Sequence, residues 1–232
     1  MERLIVLDTE TTGIEPSEGH RIIEIGCVEI LDRAVTDSSY QQYIQPNRNV
    51  GESFRIHNIS DNSLKGKPKF EEVASEFLEY IEGSTLVIHN APFDLGFLNH
   101  ELKLMGSETT IEDHCKKVID TFKNAKKQFP GSMHGLDALC RRFEIDTSAR
   151  TVSYAYSEQK AHGALLDSQM LAQVYLAMTG GQSVLFSDTN HTNQEETNES
   201  SVIKVDIDQA RIKVIQANKT EVEAHNIYFE KV

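Results

Sequence analysis

The run Arg3-Leu4-Ile5-Val6-Leu7-Asp8 sets four consecutive apolar residues against a polar, glycine-containing turn, DTETTG, and so commits the chain to open on an extended strand. A second strand is expected over about 21–31 (RIIEIGCVEIL) and a third around 40–44, which together read as an antiparallel meander. The pattern then changes period. Phe70, Val73, Phe77, Leu78 and Ile81 fall on one face at helical spacing. A short apolar strand follows at 85–89, then a helix starting at Pro92, where proline favours a first turn. Further helices are expected over 135–143 and 163–178. Strands first, then strands alternating with helices, describe an α/β domain with a mixed central sheet flanked by helices.

Beyond Gly180-Gly181 the character changes again. The segment 187–201 (SDTNHTNQEETNESS) has no hydrophobic residue with which to offset chain entropy, and reads as a disordered linker. Residues 202–232 regain apolar side chains but are too few to form a core alone, so they read as a partner-binding or back-docking tail. The expected organisation is therefore a domain over 1–181, a short motif at 182–186, a linker over 187–201 and a tail over 202–232.

The three cysteines, Cys27, Cys115 and Cys140, are odd in number and far apart, which argues against a disulfide framework or structural zinc and fits a reducing cytoplasm. Neither a signal peptide nor a membrane-spanning segment is expected from the apolar runs. The net charge of −13 is unexpected for a protein gripping nucleic acid unaided, because such affinity rests on basic side chains. It leaves two readings open: a soluble enzyme with no nucleic-acid partner, or an acidic metal site that takes a strand end while another subunit holds the duplex.

Three short motifs carry the chemistry. In Asp8-Thr9-Glu10 the carboxylates are two apart on a strand, so both project to one face. Alone, that is most often a solvated acidic turn. In His89-Asn90-Ala91-Pro92-Phe93-Asp94 an apolar strand delivers the chain to a helix with Asp94 in its first turn, an arrangement the helix dipole favours without any function. In His162-Gly163-Ala164-Leu165-Leu166-Asp167 a histidine and an aspartate bracket two leucines expected to face the core, and histidine suits proton transfer near neutral pH. Taken together, Asp8, Glu10, Asp94 and Asp167 bring four carboxylates from three segments. Their convergence is untenable in an empty cleft, but two divalent ions would balance it, and all-oxygen ligation favours Mg²⁺ or Mn²⁺ over zinc.

The ordered set DTETTG at 8–13, HNAPFD at 89–94 and HGALLD at 162–167 resembles the DEDDh 3′→5′ exonucleases, a family with an RNase H-like fold. Relatives of the tyrosine type place Tyr four residues before the last Asp; Gly163 stands there, so the histidine subclass is indicated. Within the family the likeness is strongest to the proofreading subunits of bacterial replicative polymerases. It runs through SLKGKPKFEEVASEFLEYI, GLDALCRRFEID and HGALLDSQMLAQVYLAMTGGQ and covers about 3–186. Two departures stand out: a longer segment between Asp146 and His162, and Asn58 after His57 where relatives often carry glycine.

The resemblance implies metal ligation by Asp8, Glu10, Asp94 and Asp167, His162 as general base, and release of 5′-mononucleotides from DNA 3′ ends. It also implies that Asp8, Glu10, Thr9, Glu52, His57 and Phe93 bear on the terminal nucleotide, although His57 reads almost equally well as a loop histidine and Phe93 as core. Gln182, Leu185 and Phe186 resemble a QxxLF sliding-clamp peptide; the alternative is that Leu185 and Phe186 pack back on the domain. The tail resembles the segment that binds the polymerase alpha subunit, and a small theta-like accessory subunit joins the candidate partners, with no membrane among them. The competing readings are an RNA-trimming member of the same superfamily, an interaction subunit without activity, and an unrelated carboxylate-rich hydrolase.

Overall fold

A computed structural model describes residues 2–154, 157–160 and 162–180. The expected clamp motif (Gln182, Leu185, Phe186), linker and tail lie outside the described residues. A five-stranded sheet is built from β1 (Arg3–Thr11), β2 (Ile22–Leu31), β3 (Ala34–Tyr43), β4 (Thr85–Ile88) and β5 (Lys117–Asp120), in the order β3-β2-β1-β4-β5. The first three strands pair antiparallel, while β4 and β5 run parallel to β1. A separate antiparallel ladder joins β6 (Thr151–Tyr154) to β7 (Ser157–Lys160). The expected mixed sheet is present.

The helices are α1 (Phe54–His57), α2 (Asp61–Leu64), α3 (Phe70–Ile81), α4 (Ala91–Leu104), α5 (Ile111–His114), α6 (Thr121–Gln128), α7 (Leu136–Arg142) and α8 (Ala164–Thr179). They cover both faces of the sheet, and β1 explains why. Ile5 and Leu7 belong to the cluster that includes Phe77 of α3 and Phe97 and Leu98 of α4, whereas Leu4 and Val6 pack with Leu171 and Ala172 of α8. Alternate residues of a strand face opposite ways, so an unbroken apolar run is what a strand between two helical layers requires. Burying each such side chain contributes about 1.5–3 kcal/mol.

The same alternation reaches the end of the strand. Asp8 and Glu10 continue the register of Leu4 and Val6 toward α8, while Thr9 continues that of Ile5 and Leu7 toward α4. A register shift between Glu10 and Thr11 marks a bulge beside the acid pair, where re-aimed side chains are common.

The strand expected around 40–44 is ten residues long and starts at Ala34; it is an edge strand, mostly exposed, so most of it carries no apolar signal. The leucines of HGALLD are corrected too: Leu165 and Leu166 are only partly buried, and Leu166 alone of the two packs against a core cluster, that of Met170 and Val174.

Candidate metal and catalytic centre

What brings the third motif to the first is a glycine. Asp8 pairs across the sheet with Gly26, and a Cβ there would collide with the backbone of Ala164 and Leu165 at the start of α8. Lacking one, Gly26 lets the helix end rest on the sheet. Ser168 Oγ fixes the contact by donating to the Gly26 carbonyl at 2.9 Å. Glu24, a buried acid in the same strand, accepts from the Ala164 amide at 3.1 Å and from Gln41 Nε2 at 2.7 Å. It satisfies one orphan donor of α8 and places negative charge at the positive helix end. Asp167, one turn on, is thereby held in the cleft above Asp8 and Glu10.

The second motif arrives through backbone conformation. Asn90 takes a left-handed φ of 69° as β4 turns into α4, a conformation asparagine tolerates better than most residues. The turn puts Asp94 in the first helical turn, 2% exposed, where its Oδ1 accepts from Thr9 Oγ1 at 2.7 Å. Thr9 is thus committed to orienting Asp94.

Asp167 is held differently. Its Oδ1 lies 2.6 Å from Arg150 Nε and 2.5 Å from Arg150 Nη2. Its Oδ2 lies 3.0 Å from His162 Nδ1. Arg150, 1% exposed, also pairs through Nη1 with Asp137 of α7. A carboxylate can only accept, so the His162 ring is protonated at Nδ1, which leaves Nε2 as the basic nitrogen when the ring is neutral. The His162 amide donates to the Ile56 carbonyl at 3.1 Å, tying the histidine to α1.

The electrostatics are those of a site short of positive charge. Burial, and then Asp94, Asp167 and Glu10, push the Asp8 carboxyl well above the usual range, with Arg150 acting the other way. Glu10 is pushed up to about 9 by burial first, then by Asp167, Glu24 and Asp94. Asp94 rises to about 7 through burial, opposed by the Thr9 hydroxyl. Raised carboxyls of this kind fit a cation site: the groups are expensive to ionise together until a cation arrives. Ligand atoms of Glu10, His162 and Asp167 lie within 4.8 Å of one another, a spacing one ion can span. The carboxylates of this cluster suit a hard divalent ion, with the imidazole at their edge left for proton transfer.

Glu52 is exposed and lines a cleft of about 530 Å³ with Thr12, Gly13, His20, Arg48 and Arg55. His57 is buried with both nitrogens engaged: Nδ1 accepts from the Ile59 amide at 3.0 Å, and Nε2 lies 3.0 Å from Ser53 Oγ. Burial and neighbouring His162 depress its pKa to about 4, so it is neutral at physiological pH. Asn58, the departure noted after His57, adopts φ 58°, which accounts for glycine being an alternative there. Phe93 is half-buried, packs on Phe97 with ring centroids 5.1 Å apart, and lines a second cleft with Ile14 and Asn90.

Sequence reasoning missed Glu24, Asp137 and Arg150. Glu24 had a signal, a charge inside the otherwise apolar IIEIG. Arg150 and Asp137 had none, because only the tertiary fold brings them to Asp167.

The profile of the family described as "Exonuclease" matches residues 5–175. DNA polymerase III subunit epsilon of Escherichia coli is 43% identical over 99% of this chain and 93% of its own length. The protein of the same name from Rickettsia prowazekii is 42% identical over 99% and 96%. Among solved structures, exonuclease X in complex with 5′ overhanging duplex DNA superposes with a TM-score of 0.57 at 24% identity, covering 76% of this chain and 91% of that one. Exonuclease I superposes at 0.63 with 14% identity, covering 78% and 42%. At these identities the two structures speak for the fold.

Proposed function

The chain belongs to the exonuclease family, and from that premise we propose the activity its site supports: it is a 3′→5′ DNA exonuclease, the proofreading (epsilon) subunit of a bacterial DNA polymerase III. The observation that carries this is the convergence of four carboxylates and one oriented histidine from three segments on one cleft.

Asp8, Glu10, Asp94 and Asp167 are the residues that would hold divalent metal, taken as two Mg²⁺ or Mn²⁺ ions. Bound metal would acidify a water and offset charge on the leaving 3′-oxygen. The protein's own part is orientation and proton transfer. Asp167 Oδ2 fixes the His162 tautomer, and Nε2 takes the proton from the attacking water as its oxygen bonds to phosphorus. The bond from phosphorus to the 3′-oxygen then breaks, releasing a 5′-mononucleotide. Thr9 holds Asp94 in place, while Glu52 and Phe93 border the clefts where the terminal nucleotide is proposed to sit. His57, neutral and tied into its loop, shapes that wall.

Mispaired 3′ ends reach such a site more readily, because an unpaired base has less stacking and pairing to lose. The acidic composition fits a nuclease delivered by tethering, which raises local concentration without a basic surface. Residues 202–232 are proposed to bind the polymerase alpha subunit, Gln182, Leu185 and Phe186 the sliding clamp, and a theta-like subunit the domain. Among the described residues no helix is long and apolar enough to cross a membrane, and a cytoplasmic location is proposed.

The test is digestion of 3′-labelled DNA ending in a mismatch, beside matched RNA, by wild type and Asp8→Ala with and without Mg²⁺. Metal-dependent release of deoxynucleotides, slow on RNA and reduced by at least about a thousandfold in Asp8→Ala, roughly 4 kcal/mol of barrier, is expected. Preference for RNA would move the protein to a trimming ribonuclease, and no activity would revive the interaction-subunit reading.

A further inference from the structure

Arg150 has no place in the proposed catalytic set, yet its guanidinium sits at the centre of the cluster. It is 1% exposed, and a buried guanidinium is tolerated only when well paired. Its pairing is uneven. Nη1 meets Asp137 Oδ1, while Nε and Nη2 both crowd one oxygen, Asp167 Oδ1, at 2.6 and 2.5 Å. Nη2 has no well-formed hydrogen bond of its own. The other Asp167 oxygen faces His162 Nδ1 at 3.0 Å. Both oxygens of the carboxylate are therefore taken, one of them by a permanent cation.

A divalent ion such as Mg²⁺ needs a carboxylate oxygen at about 2.0–2.1 Å and repels a guanidinium on the same atom. We propose that Arg150 is a built-in counter-ion that competes with metal for Asp167 Oδ1: it holds the acidic cluster together without metal and gives up Asp167 when a divalent ion enters. The inference rests on the reading of Asp167 as a metal ligand.

The placement of Arg150 in the chain adds a consequence. It immediately precedes β6, and His162 follows two residues after the end of β7, so the two groups that grip Asp167 bracket the β6–β7 ladder. Its strands lie between Asp146 and His162. On this proposal release of Arg150 would act on the start of β6, while the Ile56 carbonyl still holds the His162 amide at 3.1 Å.

The experiment is Mn²⁺ titration calorimetry on full-length wild type, Arg150→Gln, Arg150→Lys and Asp167→Asn, with melting temperatures in EDTA and in saturating Mn²⁺. Arg150→Gln is expected to bind Mn²⁺ about tenfold more tightly, to melt lower in EDTA, and to converge on wild type when Mn²⁺ is saturating. Arg150→Lys, which keeps the charge but loses the fork, falls between, and it carries the affinity test if Arg150→Gln does not fold without metal. Unchanged or weaker Mn²⁺ binding in both Arg150 variants would overturn the counter-ion role. The underlying site reading is separately exposed: Asp167→Asn is expected to weaken binding, and wild-type affinity there would sink that reading and the inference with it.

Discussion

Two halves of the acidic centre hold their carboxylates by opposite means. In the half made by β1 and α4, Asp94 accepts one neutral hydroxyl, from Thr9, and shows no ion pair among the described residues; burial leaves it raised to about 7. In the half made by α8, Asp167 lies between Arg150 and His162, with a cation already on one oxygen. The first half stores repulsion that metal would relieve. The second already carries a counter-ion on Asp167, which still helps to raise Asp8 and Glu10, and must be opened before metal is fully bound. One signature of four acids thus conceals two electrostatic states, set by which neighbours the fold supplies.

The largest effect separates chemistry from assembly. His162→Ala is expected to lower turnover about 10²- to 10⁴-fold at saturating metal while leaving Mn²⁺ affinity within a few fold, measured by single-turnover release of labelled nucleotide. Near-normal turnover would remove His162 from the mechanism.

Stability without metal should divide the two halves. Asp167→Asn leaves the buried Arg150 with Asp137 alone, and breaking a buried pair in this way costs about 3–5 kcal/mol. At about 2–4 °C per kcal/mol for a domain of this size, the melting temperature in EDTA should fall by roughly 10 °C. Asp94→Asn removes a repelled charge and should melt at or above wild type. Equal losses in both variants would erase the distinction.

The pH dependence sharpens it. Glu10 and Asp94 titrate in the folded protein at about 9 and about 7, against ordinary values of 4.5 and 3.8. Between those limits the folded state holds protons that the unfolded chain has lost, so stability falls as pH rises. Melting in EDTA should therefore decline from pH 5 to pH 9, with a shallower slope in Glu10→Gln. A melting temperature that climbs over this range would contradict the raised carboxyls.

The smallest effect belongs to Thr9. Thr9→Val deletes the hydroxyl that Asp94 accepts and should cost about 1 kcal/mol, read from denaturant unfolding at neutral pH. A loss several times larger would mean that Thr9 supports more than Asp94.

The sequence made some of this legible and hid the rest for physical reasons. The helix over Phe70–Ile81 was readable to the residue because one face is buried and the other is solvated. Most of β3 and all of β5 were not: β3 is an exposed edge, and KVID is four residues long with no clear apolar period. Asp8, Glu10, Asp94, His162 and Asp167 were legible because each sits at a fixed offset from a strand or helix end. Whether an acid there meets a hydroxyl or a guanidinium is decided by residues up to 85 positions away, as Thr9 and Asp94 illustrate, and no local pattern records it.

The most direct test of the account asks whether the two halves form a single metal site. Mn²⁺ binding to full-length wild type, Asp94→Asn and Asp167→Asn, one variant from each half, should be measured by calorimetry in the absence of DNA. The account predicts saturable binding to wild type and at least about tenfold weaker binding in each variant, as loss of a ligand requires. Wild-type affinity in either variant would contradict a site shared by β1, α4 and α8.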